Sequence, residues 1–272
     1  MSADGLRVDG RRWREVRKLQ CRVGVKCGGI GSTDSVVDGS AYVELGNTRV
    51  LAVVSGPREM SLPLSQSQSQ SGGGSQNLVV SYSLAPFSSS DRRVFRKSHP
   101  LLLEHSEILA SIFLPLISPG SSLNRAQIIV NVQILQRDGG ELAAAINAVS
   151  LALMDAGVPM ADFAVACSAA HLGTSTSHAE ASSDQPTDQP LHSKAILVDP
   201  NRAEDAHGLP TVIATLLPRS GRLALLSFEG ARLPAANLQP VVEAALDGCA
   251  AIKSVLELEI RSATVHRSSL LI

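Results

Sequence analysis

Residues 127–159 read QIIVNVQILQRDGGELAAAINAVSLALMDAGVP. The first ten alternate around Val130, Val132 and Ile134, the period of a strand buried on one face. Asp138-Gly139-Gly140-Glu141-Leu142 then turns directly into a helical pattern. Leu142, Ala145, Ile146, Val149, Leu153 and Ala156 recur at helical spacing, and Gly157 with Pro159 supplies the stop. One face of this helix is rich in alanine, so another element can approach it closely.

Strands and helices continue on both sides. Upstream, residues 40–45 and 49–54 flank Gly46-Asn47-Thr48 as a hairpin would, residues 77–84 form a further strand, and residues 101–116 carry a helical stripe. Downstream, strands are predicted at 163–172, 195–199, 210–217 and 222–228, the last two joined by Pro218-Arg219-Ser220-Gly221. A long helix over about 238–265 turns Val241, Val242, Ala245, Cys249, Ile252 and Leu256 inward. Strand clusters followed by helices, twice over, give an α+β class. Three polar stretches interrupt the pattern and read as insertions: 27–35, 60–76 with its SQSQSQSGGGSQ tract, and 174–192.

Composition narrows the function. Apolar residues make up 44% of the 272, charged residues 18%, and the net charge is −1, which excludes a wholly disordered chain. The balance of 24 basic against 25 acidic residues argues against a surface that grips nucleic acid everywhere, so any such contact needs a local basic cluster. Aromatics at 3% argue against a base-stacking platform. Cys21, Cys27, Cys167 and Cys249 show no metal-ligand spacing. The start is polar and basic, without a secretory signal, and the longest apolar run is too short for a membrane span. An intracellular protein is expected.

Three places could carry chemistry. At Gly139, Gly140, Glu141 and Leu142 a strand enters a helix N-terminus, where free N–H groups favour an anion, although the same glycines also suit a plain tight turn. Asp199 and Asp205 could hold a divalent cation or act as acid and base, or be solvated loop acids. Arg92, Arg93, Arg96 and Lys97 form a dense basic run that suits phosphate contacts.

Together the segments resemble one family. Arg7-Val8-Asp9-Gly10-Arg11-Arg12, residues 38–44 (DGSAYVE), Gly46-Asn47-Thr48 and Gly56-Pro57 look like the N-terminal half of RNase PH-type proteins. Gln136-x-Asp138-Gly139-Gly140, residues 152–160 (ALMDAGVPM) and Asp199-x5-Asp205-Ala206 continue the match in order. The likeness extends to ring subunits of the eukaryotic RNA exosome.

The resemblance implies an RNase PH-like fold of the ribosomal protein S5 domain 2 type. It consists of two similar halves of mixed sheet packed with helices, here 1–158 and 159–272. It also implies a six-membered ring around an RNA channel. Expected partners are other RNase PH-like ring subunits, cap subunits, an associated hydrolytic ribonuclease and single-stranded RNA, with no membrane. Expected locations are nucleus, nucleolus and cytoplasm.

Active members shorten RNA from its 3′ end with inorganic phosphate. They use two aspartates, matched here by Asp199 and Asp205, and RNA-holding arginines, matched within Arg92, Arg93, Arg96 and Lys97. At the phosphate site the match ends. Glu141 and Leu142 stand where active enzymes carry Thr or Ser and Arg, so the donor fork is lost and a negative charge is added, with no compensating cation expected beside it. The reading is a non-catalytic ring subunit without cofactor, its aspartates vestigial. The alternatives are an active phosphorolytic exoribonuclease using phosphate and Mg²⁺, and a metal-dependent hydrolytic nuclease using Asp199 and Asp205.

Overall fold

The computed structural model describes residues 6–7, 9–25, 37–59, 78–89, 91–92, 94–96, 98–117, 126–172, 196–205 and 208–270. The insertions at 27–35, 60–76 and 174–192 lie outside them. Five strands form the first sheet: β1 (Leu19–Val23), β2 (Gly39–Leu45), β3 (Thr48–Glu59), β4 (Leu78–Leu84) and β5 (Ala126–Gln136), in the order β1-β2-β3-β5-β4. β2 and β3 make the hairpin expected from the sequence, with Leu45 opposite Thr48 and Gly46 at φ +59° in the turn. β4 instead pairs parallel to β5, because α1 (Pro100–Phe113) crosses between them. Pro100 starts that helix, and Leu102, Leu109, Ile112 and Phe113 are its buried stripe.

The second sheet holds β6 (Val165–His171), β7 (Ile196–Val198), β8 (Thr211–Leu217) and β9 (Arg222–Glu229), ordered β7-β6-β8-β9, with a short α3 (Arg202–Asp205) after β7. A 36-residue α4 (Ala235–Leu270) closes the chain. Its Val241, Ala245, Cys249, Ile252 and Leu256 are buried as expected, whereas Val242 is only half-buried. The first sheet uses residues before 158 and the second residues after it, and one buried cluster joins them.

That cluster centres on α2 (Glu141–Asp155), which departs from the amphipathic helix read from the sequence. All twelve residues from Leu142 to Leu153 are buried. The helix packs on β2 and β3 of one sheet and on β6 of the other, so it has no solvent face. Small side chains permit this: a Cβ on Gly39 would come within 2.4 Å of the Ala156 backbone nitrogen. The polar residues inside are satisfied. Asn147 exchanges two hydrogen bonds with the Ala166 backbone, and the Ser150 hydroxyl donates to the Ala164 carbonyl at 2.6 Å. Both tie α2 to the start of the second sheet.

Cys21, Cys167 and Cys249 are buried free thiols, and burial pushes Cys21 and Cys249 up to about 12, leaving them unreactive. No helix of the described residues is long and apolar enough to cross a membrane.

Candidate functional site

The turn from β5 into α2 is clamped from three sides. The Thr48 hydroxyl donates to the Gly139 carbonyl at 2.7 Å, and Asn47 donates to the Asp138 carboxylate at 3.0 Å. Arg17 donates to the carbonyls of Asp138 and Gly139 at 2.7 and 3.0 Å. Gly140 caps the helix at φ +63°, a left-handed conformation that favours glycine. A Cβ there would also lie 3.0 Å from Arg17 Nη2 and 3.2 Å from Asp199 Oδ1. Close packing and backbone geometry both favour glycine here.

Asp199 sits directly behind the turn, 1% exposed and at φ +52°. Arg17 donates from Nε to Oδ2 at 2.8 Å, from Nη2 to Oδ1 at 2.7 Å, and from its backbone N–H to Oδ2 at 3.0 Å. Arg7 reaches the same loop, donating to the Val198 and Asp199 carbonyls and to both oxygens of Glu204. Burial alone would raise the Glu204 carboxyl, but the hydrogen bonds from Arg7 and the Asn201 backbone, with the Arg7 charge, hold it below its ordinary value. The polar, basic stretch at residues 7–17 thus buries two arginines as internal struts.

In front of the turn lies a pocket of about 300 Å³. Gly139, Gly140, Glu141, Leu142 and Asp205 all line it, so the structure brings together the predicted anion turn and one predicted aspartate. Glu104 and Glu229 join Glu141 and Asp205, giving four carboxylates. Partial desolvation in the pocket wall, then the charges of Asp205, Glu141 and Glu104, raise the Glu229 carboxyl above its ordinary value, even though its side chain still reaches solvent. The Ser168 hydroxyl, on a residue 1% exposed, also lines the pocket and has no hydrogen-bond partner among the described residues.

Glu141 is not the isolated charge expected from the sequence: Arg137 pairs with it across the turn that leads into α2. Leu142 is 2% exposed and offers no donor. Mg²⁺ prefers several oxygen ligands in near-octahedral array. Asp199 already gives both oxygens to Arg17, and among the described residues no group of three or more His, Cys, Asp or Glu could hold a metal ion.

Arg137 also lines a second, shallower groove of about 940 Å³, together with Arg49, Arg92 and Arg202. Arg92 is exposed and holds φ +46°, an uncommon backbone state for a residue other than glycine. Arg96 is exposed but does not line the groove, and Arg93 and Lys97 lie outside the described residues. The sequence reading missed Arg49, Arg137 and Arg202. None of the three left a signal there: Arg137 lies before α2, and the glycine turn rather than helical spacing brings it to Glu141.

The model of the 3′ exoribonuclease family, domain 1 (RNase PH) matches residues 15–159, and the chain belongs to that family. It is 37% identical over 266 residues to the mouse protein named exosome complex component RRP41, covering 96% of this chain and 93% of that one. The Arabidopsis thaliana RRP41 homolog is 37% identical over 256 residues, covering 93% and 90%, and the archaeal Rrp41 of Methanopyrus kandleri is 31% identical over 252, covering 92% and 89%. The crystal structure of rice Rrp46 superposes with a TM-score of 0.69 at 19% identity, covering 94% of this chain and all of that one, a likeness of fold.

Proposed function

We propose that this chain is a non-catalytic ring subunit of an RNA exosome, contributing scaffold and RNA-channel surface to 3′→5′ RNA processing and degradation, including rRNA processing and mRNA decay. One observation carries the non-catalytic part: the helix N-terminus where a phosphate would dock is lined by four carboxylates, and the adjacent Leu142 offers no donor. At an effective dielectric of about 20, two like unit charges 4 Å apart repel by roughly 4 kcal/mol, and a phosphate dianion would meet several. Arg137 neutralises only Glu141.

Membership of the assembly is supported by the relatives, which are named as exosome components. Exposed apolar side chains such as Leu223, Phe228 and Leu258 suit contacts with neighbouring subunits. The proposed partners are other RNase PH-like ring subunits, cap subunits, a hydrolytic ribonuclease and single-stranded RNA, in nucleus, nucleolus and cytoplasm, with no resident cofactor. The arginine groove is the proposed RNA surface.

A second reading is an active phosphorolytic exoribonuclease in which a neighbouring subunit's arginine completes the pocket. The unpartnered Ser168 hydroxyl facing that pocket favours it. Light scattering on natively purified protein tests the assembly, which should elute with subunits of similar size and bind single-stranded RNA in a salt-dependent way. A lone monomer without co-purifying subunits overturns it.

A further inference from the structure

We infer that Phe87 is a stacking platform for an unpaired nucleobase, set into the arginine groove so that this surface reads single-stranded RNA by its bases as well as by its phosphates. The inference rests on the proposed reading of the groove as an RNA surface and goes beyond it, because ion pairs to phosphate alone do not distinguish RNA from any other polyanion.

Phe87 is 67% exposed and lines the groove beside Arg49, Arg92, Arg137 and Arg202. A large ring left in water forgoes the stabilisation that burial would give. Phe113, by contrast, is wholly buried in the core.

The turn that carries the ring is also held in place. Ala85 donates to the Ile134 carbonyl at 3.0 Å, Ser88 donates to the Ala85 carbonyl at 2.9 Å, and Arg137 donates to the Ser88 carbonyl at 3.0 Å. Ser88 is buried. The turn carrying Phe87 is therefore fixed to β5 and to the residue after it, and little conformational entropy is lost when a base lies on the ring.

Charge around the ring completes the subsite. Arg49 pairs with Glu44 and Arg137 with Glu141, whereas Arg92 and Arg202 make no ion pair among the described residues. Both remain available for phosphates on either side of a base stacked on Phe87. A scarcity of aromatics, which argued against a platform on composition, does not matter when one ring is placed where the backbone passes. Duplex RNA hides its base faces in its own stack, so the ligand class is an unpaired nucleotide run.

The test uses the natively purified complex carrying this chain and three ligands of equal length: single-stranded RNA, an abasic oligonucleotide with the same phosphates, and duplex RNA. Phe87→Ala should weaken single-stranded RNA about tenfold, within the range of one base–aromatic stack, and leave abasic binding unchanged. Phe87→Trp should retain the affinity and the quenching of 2-aminopurine placed in the RNA. Arg92→Glu with Arg202→Glu should weaken RNA and abasic ligand alike, and this arm tests the underlying reading of the groove. If the arginine variant weakens binding but Phe87→Ala does not, the stacking inference is wrong and the groove assignment stands. If Phe87→Ala dissociates the complex, the ring packs on a neighbouring subunit and the inference is overturned. If the arginine variant changes nothing, both fall.

Discussion

Arg17 and Asp199, 182 positions apart in sequence, close a buried ion pair in which Nε and Nη2 donate to the two carboxylate oxygens at 2.8 and 2.7 Å. Both side chains are almost fully withdrawn from water. The same guanidinium holds the carbonyls of Asp138 and Gly139, so the pair fixes the strand-to-helix turn as well as the loop after β7. The aspartate that the family resemblance assigns to catalysis is here a fastener between the two sheets.

Asp199→Asn should therefore act on stability before it acts on anything else. Removing one partner of a buried pair strands the other charge, at a cost of about 3–5 kcal/mol. Urea unfolding of the variant should show that loss. Replacing both members with apolar residues, Arg17→Met with Asp199→Leu, should cost less than the two single changes summed. A single variant within about 0.5 kcal/mol of wild type, the range of ordinary surface substitutions, contradicts the role.

Glu141→Gln should strengthen RNA binding. Glu141 occupies Arg137, which lines both the acidic pocket and the arginine groove. Freed of its partner, Arg137 can contact a phosphate, steepening the slope of log affinity against log salt by about 0.7 for single strands. Unchanged affinity and slope in a salt titration contradict this.

Neither of these two relationships shows in the sequence. The switch from alternating to helical spacing across 127–159 exposes β5 and α2 directly, but the Arg137–Glu141 pair is not legible, because Arg137 precedes the helix and the glycine turn brings it to Glu141. Nor is the complete burial of α2, because alanine-rich positions fit one buried face or two. Arg17 hides in the polar, basic run before β1, and its partner lies beyond the whole first sheet, just after β7. The groove draws on residues near 42–49, 87–92, 136–137 and 202, and only the dense run around Arg92 stands out in one dimension.

Two carboxylates should respond to pH with opposite sign. Glu229 is raised above its ordinary 4.5, so its favourable protonated state contributes below that value and is lost as pH rises through the raised one. Glu229→Gln should thus raise the melting temperature at pH 7 and change it little well below 4.5. Glu204 is lowered from 4.5, so its contribution is present above that value and lost as pH falls through the depressed one. Glu204→Gln should lower the melting temperature at pH 7, with the difference closing in acid. Parallel pH profiles for the two variants would contradict these assignments.

The most direct measurement is the release of nucleoside diphosphates from single-stranded RNA by the natively purified complex, with inorganic phosphate and Mg²⁺ present, compared with the same complex carrying Asp205→Asn. Asp205 is the residue to change because it lines the pocket and, unlike Asp199, its carboxylate makes no ion pair among the described residues. With four carboxylates around the anion position and Leu142 beside it, the two complexes should release diphosphates equally, at no more than the level seen without phosphate. Phosphate-dependent release that disappears in the Asp205→Asn complex would show that this chain carries out phosphorolysis.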